Sequence, residues 1–270
     1  MIPRDYITEW RAKAPWVQDF QVEQDLIISK ALVDIFSHPL LKNALPFRGG
    51  TALYKLYFPP ARYSEDIDLV QVKAEVAGPV MEALREVLDP WLGAPRWKQT
   101  EGRVTFVYRF DSEDTPPLPL KLKVEINSRE HFTVYGFNEV PFTVSSRWLE
   151  GSCNIKIYEL NELLGTKLRA LYQRKKGRDL FDLAMALERP EVDPSRILES
   201  FAAYMDHEGH RVTRARFEQN MDGKLRDPQF SADIGPLLAD GFAWDLDSAA
   251  ASVLTGLIEL LPGDPWKGKD

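Results

Sequence analysis

The sequence predicts an α+β chain: a helical lead-in, a mixed sheet with flanking helices, and a mostly helical remainder. Three observations carry this. Apolar residues up to Ser37 recur at helical intervals, segments between Leu45 and Tyr158 alternate apolar and polar residues, and beyond Tyr158 the helical period returns. A domain boundary is therefore expected near 158, dividing 1–158 from 159–270.

In the lead-in, Val17, Phe20, Val22, Leu26, Ile27, Leu32, Val33 and Phe36 set the helical period. Pro15 should break the region into two helices, the second the longer. Leu45-Pro46-Phe47-Arg48 reads as a short buried strand that meets Gly49-Gly50. A short helix then runs from Thr51 to Tyr57 and stops at Phe58-Pro59-Pro60. Glu65 to Val70 alternates charged and apolar residues, as a half-buried strand does. Ala77 to Leu92 is amphipathic, with Val80, Leu84, Val87, Leu88 and Trp91 on one face. Strands are expected over Arg103–Phe110, Leu118–Ile126, Val140–Val144 and Asn154–Tyr158. Helices should follow over Glu159–Gln173, Arg178–Leu187, Pro194–Met205, Thr213–Leu225 and Leu246–Leu261, with a loose tail from Pro262 to Asp270.

The chain has 270 residues, 44% hydrophobic and 28% charged, which suits a folded globular protein rather than a disordered one. No run reaches the roughly 18 consecutive apolar residues of a membrane span. Residues Met1 to Asp5 lack a basic segment leading into an apolar one, so no secretion signal is expected. Cys153 is the only cysteine, which excludes an internal disulfide and fits a reducing compartment. A cytoplasmic location is the resulting expectation. The net charge of -7 offers no global attraction to nucleic acid. A local cluster, Arg169, Arg174, Lys175, Lys176 and Arg178, could still meet phosphate, or could be a solvated helix face.

The chemistry centres on Asp66 and Asp68. Two apart on a strand, they emerge on one face while Ile67 and Leu69 turn to the core. Paired carboxylates repel unless a cation lies between them, and hard oxygen donors suit Mg²⁺ or Mn²⁺. Alone, Asp-x-Asp is common on strand surfaces. The upstream Gly49-Gly50-Thr51 turn adds weight, because glycines permit close backbone approach and a helix N-terminus offers amides to phosphate. The spacing is not that of a P-loop. His207 and His210 form a His-x-x-His pair, but zinc would need further ligands nearby.

Arg48-Gly49-Gly50-Thr51-Ala52-Leu53, followed by Arg62-Tyr63-Ser64-Glu65-Asp66-Ile67-Asp68-Leu69, resembles the first motif of the AbiEii/AbiGii toxin family, which includes the MenT toxins. Fourteen residues separate Thr51 from Asp66, a few more than the motif usually has. A longer helix or loop over Tyr57 to Ala61 would absorb them. The resemblance implies a DNA polymerase β-like nucleotidyltransferase fold, with Gly49, Gly50 and Thr51 on the NTP phosphates and Asp66 and Asp68 on metal. It also implies a third carboxylate on a neighbouring strand, for which Glu125 in Lys121 to Asn127 is the candidate. Glu125 shares its strand face with Lys121, Lys123 and Asn127.

The segment Glu159 to Leu183 is similar to the family's second conserved region. That similarity implies that Lys167 contacts NTP phosphates, that Asp182 is an essential acid, and that the helical region completes the active site. Asp179 lies on the Asp182 face or caps its helix. Arg48 and Arg62 would serve NTP, or pair with Glu65 and Asp66. Arg174, Lys175, Lys176 and Arg178 would receive NTP or an RNA backbone. The implied activity is metal-dependent transfer of a nucleotide to RNA, a tRNA 3′ end foremost, by a toxin with a separately encoded antitoxin. Open alternatives are a protein or small-molecule acceptor, or a non-catalytic nucleotide-binding module.

Overall fold

The computed structural model describes residues 2–268; Met1, Lys269 and Asp270, and with them the ends of the N-terminal segment and the tail, lie outside the described residues. Two compact units result, one running to Tyr158 and including Leu238–Gly241, the other from Glu159 to Leu237 and from Phe242 onward.

The first unit begins with α1 (Arg4–Trp10) and α2 (Asp19–Ser37), separated around Pro15. Then come α3 (Leu41–Ala44), β1 (Phe47–Arg48), α4 (Gly49–Ala52), β2 (Asp66–Val70) and α5 (Gly78–Leu92). Five strands complete it: β3 (Arg96–Thr100), β4 (Arg103–Asp111), β5 (Pro119–Asn127), β6 (Phe137–Ser145) and β7 (Glu150–Tyr158). Among the described residues these strands make one seven-stranded mixed sheet, in the order β3-β4-β5-β2-β1-β7-β6. β1 runs antiparallel to β2 and parallel to β7, and β2 runs parallel to β5.

Sheet register follows from burial. Ile67 and Leu69 lie opposite Val124 and Ile126, which in turn face Phe106 and Val104. All six are buried, so one sheet face is continuously apolar. A one-residue slip would turn this whole set to solvent. Strand β3 was not expected from the sequence. Its residues are exposed throughout, so it has no apolar alternation to read.

Helix α2 is buried on nearly every side and packs against β7 and α5. Within it the buried Asp25 accepts from Trp10 Nε1 (2.8 Å), Trp16 Nε1 (3.2 Å) and Lys55 Nζ (2.7 Å). A buried carboxylate is tolerable only when paired and hydrogen-bonded in this way. The segment Leu238–Gly241 adds two isolated bridges to this unit, Arg62 with Leu238 and Trp16 with Ala239.

The second unit is helical: α6 (Leu160–Gln173), α7 (Gly177–Leu187), α8 (Pro194–His207), α9 (Arg214–Leu225), α10 (Pro228–Ala232) and α11 (Leu246–Gly256). Glu159 caps α6 by accepting from the Asn161 and Glu162 amides. The tail departs from the loose segment expected: Pro262 accepts from the Arg214 amide, and the Trp266 amide donates to Glu218 Oε2 at 2.6 Å. Helix α10 was also not expected, being a single short turn opened by Asp227 and Pro228.

Candidate active site

The turn after β1 depends on Gly49. Its φ is +85°, the left-handed region where a side chain is strained. A Cβ there would also collide with Asp68 Oδ2, and one on Gly50 with the Arg62 guanidinium. Gly49 therefore lets the backbone approach the Asp68 carboxylate closely, and Gly50 lets it approach the Arg62 side chain. Thr51 is buried, and its hydroxyl donates to the Asp66 carbonyl at 2.5 Å and lies 2.9 Å from Ser64 Oγ. It ties the turn to the start of β2.

The segment between Thr51 and Asp66 contains a widened turn. After α4 the helix widens to π geometry over Leu53–Tyr57, with the Phe58 amide reaching the Leu53 carbonyl at 2.9 Å. An extended stretch then leads into β2. Widened turns of this kind are frequent at functional sites.

Asp66, Asp68 and Glu125 stand on one polar face of the sheet, on neighbouring strands. Asp68 lies beside Arg48 on β1 and opposite Glu125 on β5, and Asp66 lies opposite Lys123. Lys123 Nζ is 2.9 Å from Asp66 Oδ2 and 3.8 Å from Glu125 Oε2, and Arg103 is 3.3 Å from Glu125 Oε1. Burial holds the Asp68 carboxyl above its usual range; Arg48 opposes this, while Asp66 and Glu125 reinforce it. For Lys123, burial pulls downward, but Asp66 and Glu125 hold the ammonium above its usual range.

Among the described residues no three His, Cys, Asp or Glu side chains converge as a ready metal cage. Lys123 supplies the local counter-charge instead. The donor chemistry nevertheless fits a hard divalent cation: three carboxylates share one face of adjacent strands, with like charges bearing on Asp68.

Arg48 and Arg62 part company. Arg48 takes Glu130 as its carboxylate, at 2.5 Å, rather than Glu65 or Asp66. Arg62 is buried, donates to the Tyr63 carbonyl at 3.0 Å and lies over the Tyr54 ring. Glu130 and Lys123 as site participants escaped the sequence. Glu130 follows the end of β5 and has no motif around it; Lys123 read as one more charge on a strand face.

In the helical unit, Lys167 is buried with its Nζ 2.8 Å from Asp182 and 3.5 Å from Asp179. Arg174 grips Asp179 with two bonds, at 2.6 and 2.8 Å. Asp179 thus belongs to an ion network and does not cap α7. Its first turn is served instead by Asp233, which accepts from the Arg178 amide at 3.2 Å. The rest of the basic cluster is also paired: Arg169 with Glu208, Lys175 with Asp227, and Lys176 and Arg178 with Asp233.

A glycine turn lies against one of two strand carboxylates, with a third on the parallel neighbour, and the fold is that of a nucleotidyltransferase. The family model for the nucleotidyl transferase AbiEii toxin, of type IV toxin–antitoxin systems, matches residues 30–252, and the chain belongs to that family. Among solved structures it is similar to MenT4, a nucleotidyltransferase toxin from Mycobacterium tuberculosis H37Rv, at 19% identity and a TM-score of 0.63, over 97% of this chain and 91% of that one. It is also similar to JHP933 from Helicobacter pylori, at 18% identity and a TM-score of 0.58, over 90% and 92%. These likenesses concern the fold. No curated protein matches. No helix among the described residues is long and apolar enough to cross a membrane.

Proposed function

We propose that the chain transfers a nucleotide from an NTP to the 3′ end of an RNA, with tRNA the foremost acceptor. It would act in the cytoplasm as the toxin of a pair whose antitoxin is separately encoded. The observation that carries this is the Gly49 turn packed on Asp68, with Glu125 opposite Asp68 across the β2–β5 ladder.

Asp66, Asp68 and Glu125 would hold Mg²⁺ or Mn²⁺. Such an ion, when bound, neutralises triphosphate charge and favours in-line displacement at the α-phosphorus. The chain's own part is positional. Main-chain amides at Gly49 and Gly50 receive phosphate oxygens, and Arg48, fixed by Glu130, adds positive potential beside them. The acceptor hydroxyl oxygen bonds to the α-phosphorus, the bond to pyrophosphate breaks, and Glu125 takes the hydroxyl proton. Roles for Lys167 and Asp182 in catalysis rest on the family resemblance; Arg62 serves the site by packing behind Gly50.

The test is incubation with each labelled NTP, Mg²⁺ and total RNA. Label at the 3′ end of tRNA-sized RNA is expected; no transfer to any RNA would count against an RNA acceptor. The net charge of -7 favours a second reading, a cationic small-molecule or protein acceptor, which an acceptor screen with aminoglycosides separates. NTP binding without turnover would instead mark a non-catalytic nucleotide-binding module.

A further inference from the structure

We propose that the open sheet face beyond the carboxylates, across β5, β4 and β3, is a track for the phosphate backbone of the acceptor RNA. This rests on the RNA reading above and assigns it a path that no motif in the sequence marked.

Ladder register defines the face. Lys123 pairs with Val107, which pairs with Arg96; Glu125 pairs with Thr105, which pairs with Lys98. Asn127 pairs with Arg103, and Lys121 with Arg109. Residues opposed across a ladder share a face, so all of these stand on the side of Asp66 and Asp68. On β2, β5 and β4 the other side is apolar and buried, with Ile67, Leu69, Val124, Ile126, Phe106 and Val104. Six cations therefore border three catalytic carboxylates on one surface.

Their pairing separates them. Lys123 and Arg103 are engaged by Asp66 and Glu125. Arg96, Lys98, Arg109 and Lys121 are exposed, and no ion pair involves them among the described residues. In the helical cluster, by contrast, every cation has an acidic partner. In a chain of net charge -7, four unpaired cations on one open face make a local positive field.

Edge protection explains part of this pattern, since charges on an edge strand deter pairing with other chains. It accounts for Arg96 and Lys98 on β3. It does not account for Arg109 and Lys121, which lie on interior strands β4 and β5. From β2 to β3 is three strand spacings, about 14 Å. That length spans roughly four stacked nucleotides at about 3.4 Å each. A polyanion whose end must reach the carboxylates fits this track.

The experiment measures binding of a 5′-labelled single-stranded RNA by anisotropy across a salt series, without NTP. The variant Arg96→Gln/Lys98→Gln/Arg109→Gln/Lys121→Gln is expected to bind at least about ten-fold more weakly, its log–log salt slope smaller by about 3. The pair Lys42→Gln/Lys73→Gln should keep the parent slope, and a nucleotide thermal shift should be the same in all three proteins. An unchanged slope in the quadruple variant overturns the track. So does loss of slope in Lys175→Gln/Lys176→Gln instead, or displacement of RNA by equimolar polyglutamate, which marks an anion site without preference for RNA. Transfer to a non-RNA acceptor by a protein that binds no RNA defeats the track and spares the transferase. RNA binding with the expected slope but no transfer to any acceptor does the reverse.

Discussion

Gly49 leaves the room that Asp68 occupies: a side chain on Gly49 would meet Asp68 Oδ2, on a backbone already at φ +85°. Gly49→Ala should therefore cost about 1–2 kcal/mol of stability from the left-handed conformation alone. Transfer should fall much further, by about 100-fold or more, because a misplacement of about 1 Å is that costly at a reacting centre. Urea denaturation beside a turnover assay checks both; full activity at reduced stability would show that the close approach does not matter.

Asp68→Asn should separate function from stability. It removes a half-buried carboxylate whose charged form desolvation, Asp66 and Glu125 all disfavour. Transfer should vanish while the melting temperature stays level or rises. A clear drop in melting temperature would show that Arg48 depends on the Asp68 charge.

Lys123→Met removes the ammonium shared by Asp66 and Glu125. Because the pair is partly exposed, the loss should be modest, about 1 kcal/mol or roughly 2–4 °C. The variant should then gain more from Mg²⁺ or Mn²⁺ than the parent does. Equal shifts in both proteins would place the divalent ion away from these carboxylates.

Lys167→Ala is expected to destabilise the helical unit by about 3 kcal/mol, because it removes a buried cation shared by Asp182 and Asp179. Activity lost in this variant then needs a denaturation curve beside it. Wild-type stability would contradict the buried pair.

Glu23 offers a pH test. Burial, with Asp114 nearby, pushes its carboxyl from 4.5 to about 7. Folded Glu23 thus holds its proton more tightly than the unfolded chain does. Its contribution is greatest below about 4.5, declines as pH rises to about 7, and is flat above. Glu23→Gln should remove this decline, so its melting-temperature advantage over the parent should be larger at about pH 8 than at about pH 5. A constant difference would mean that Glu23 titrates normally.

The sequence made some of this legible because the responsible forces are local. A glycine pair before a short helix specifies a turn with left-handed backbone, and residues two apart on a strand share a face. From those rules alone Asp66 and Asp68 stood together on one strand face, downstream of a glycine turn. The amphipathic periods of α5 and α8 were equally readable, since each buries one stripe of its own residues.

Tertiary structure decided the rest. Glu125 faces Asp68, and Lys123 faces Asp66, because the β2–β5 register is set by burying Ile67, Leu69, Val124 and Ile126 together. Arg48 finds Glu130, and Asp233 serves the first turn of α7, through contacts 82 and 55 residues apart in sequence. The basic cluster around Arg174, prominent in the sequence, acquired acidic partners, whereas the scattered Arg96, Lys98, Arg109 and Lys121 came together unpaired on one face. Local conformational preference determined the Gly49 turn and the carboxylate pair; which charges met them depended on strand order, which only burial of whole sheet faces could choose.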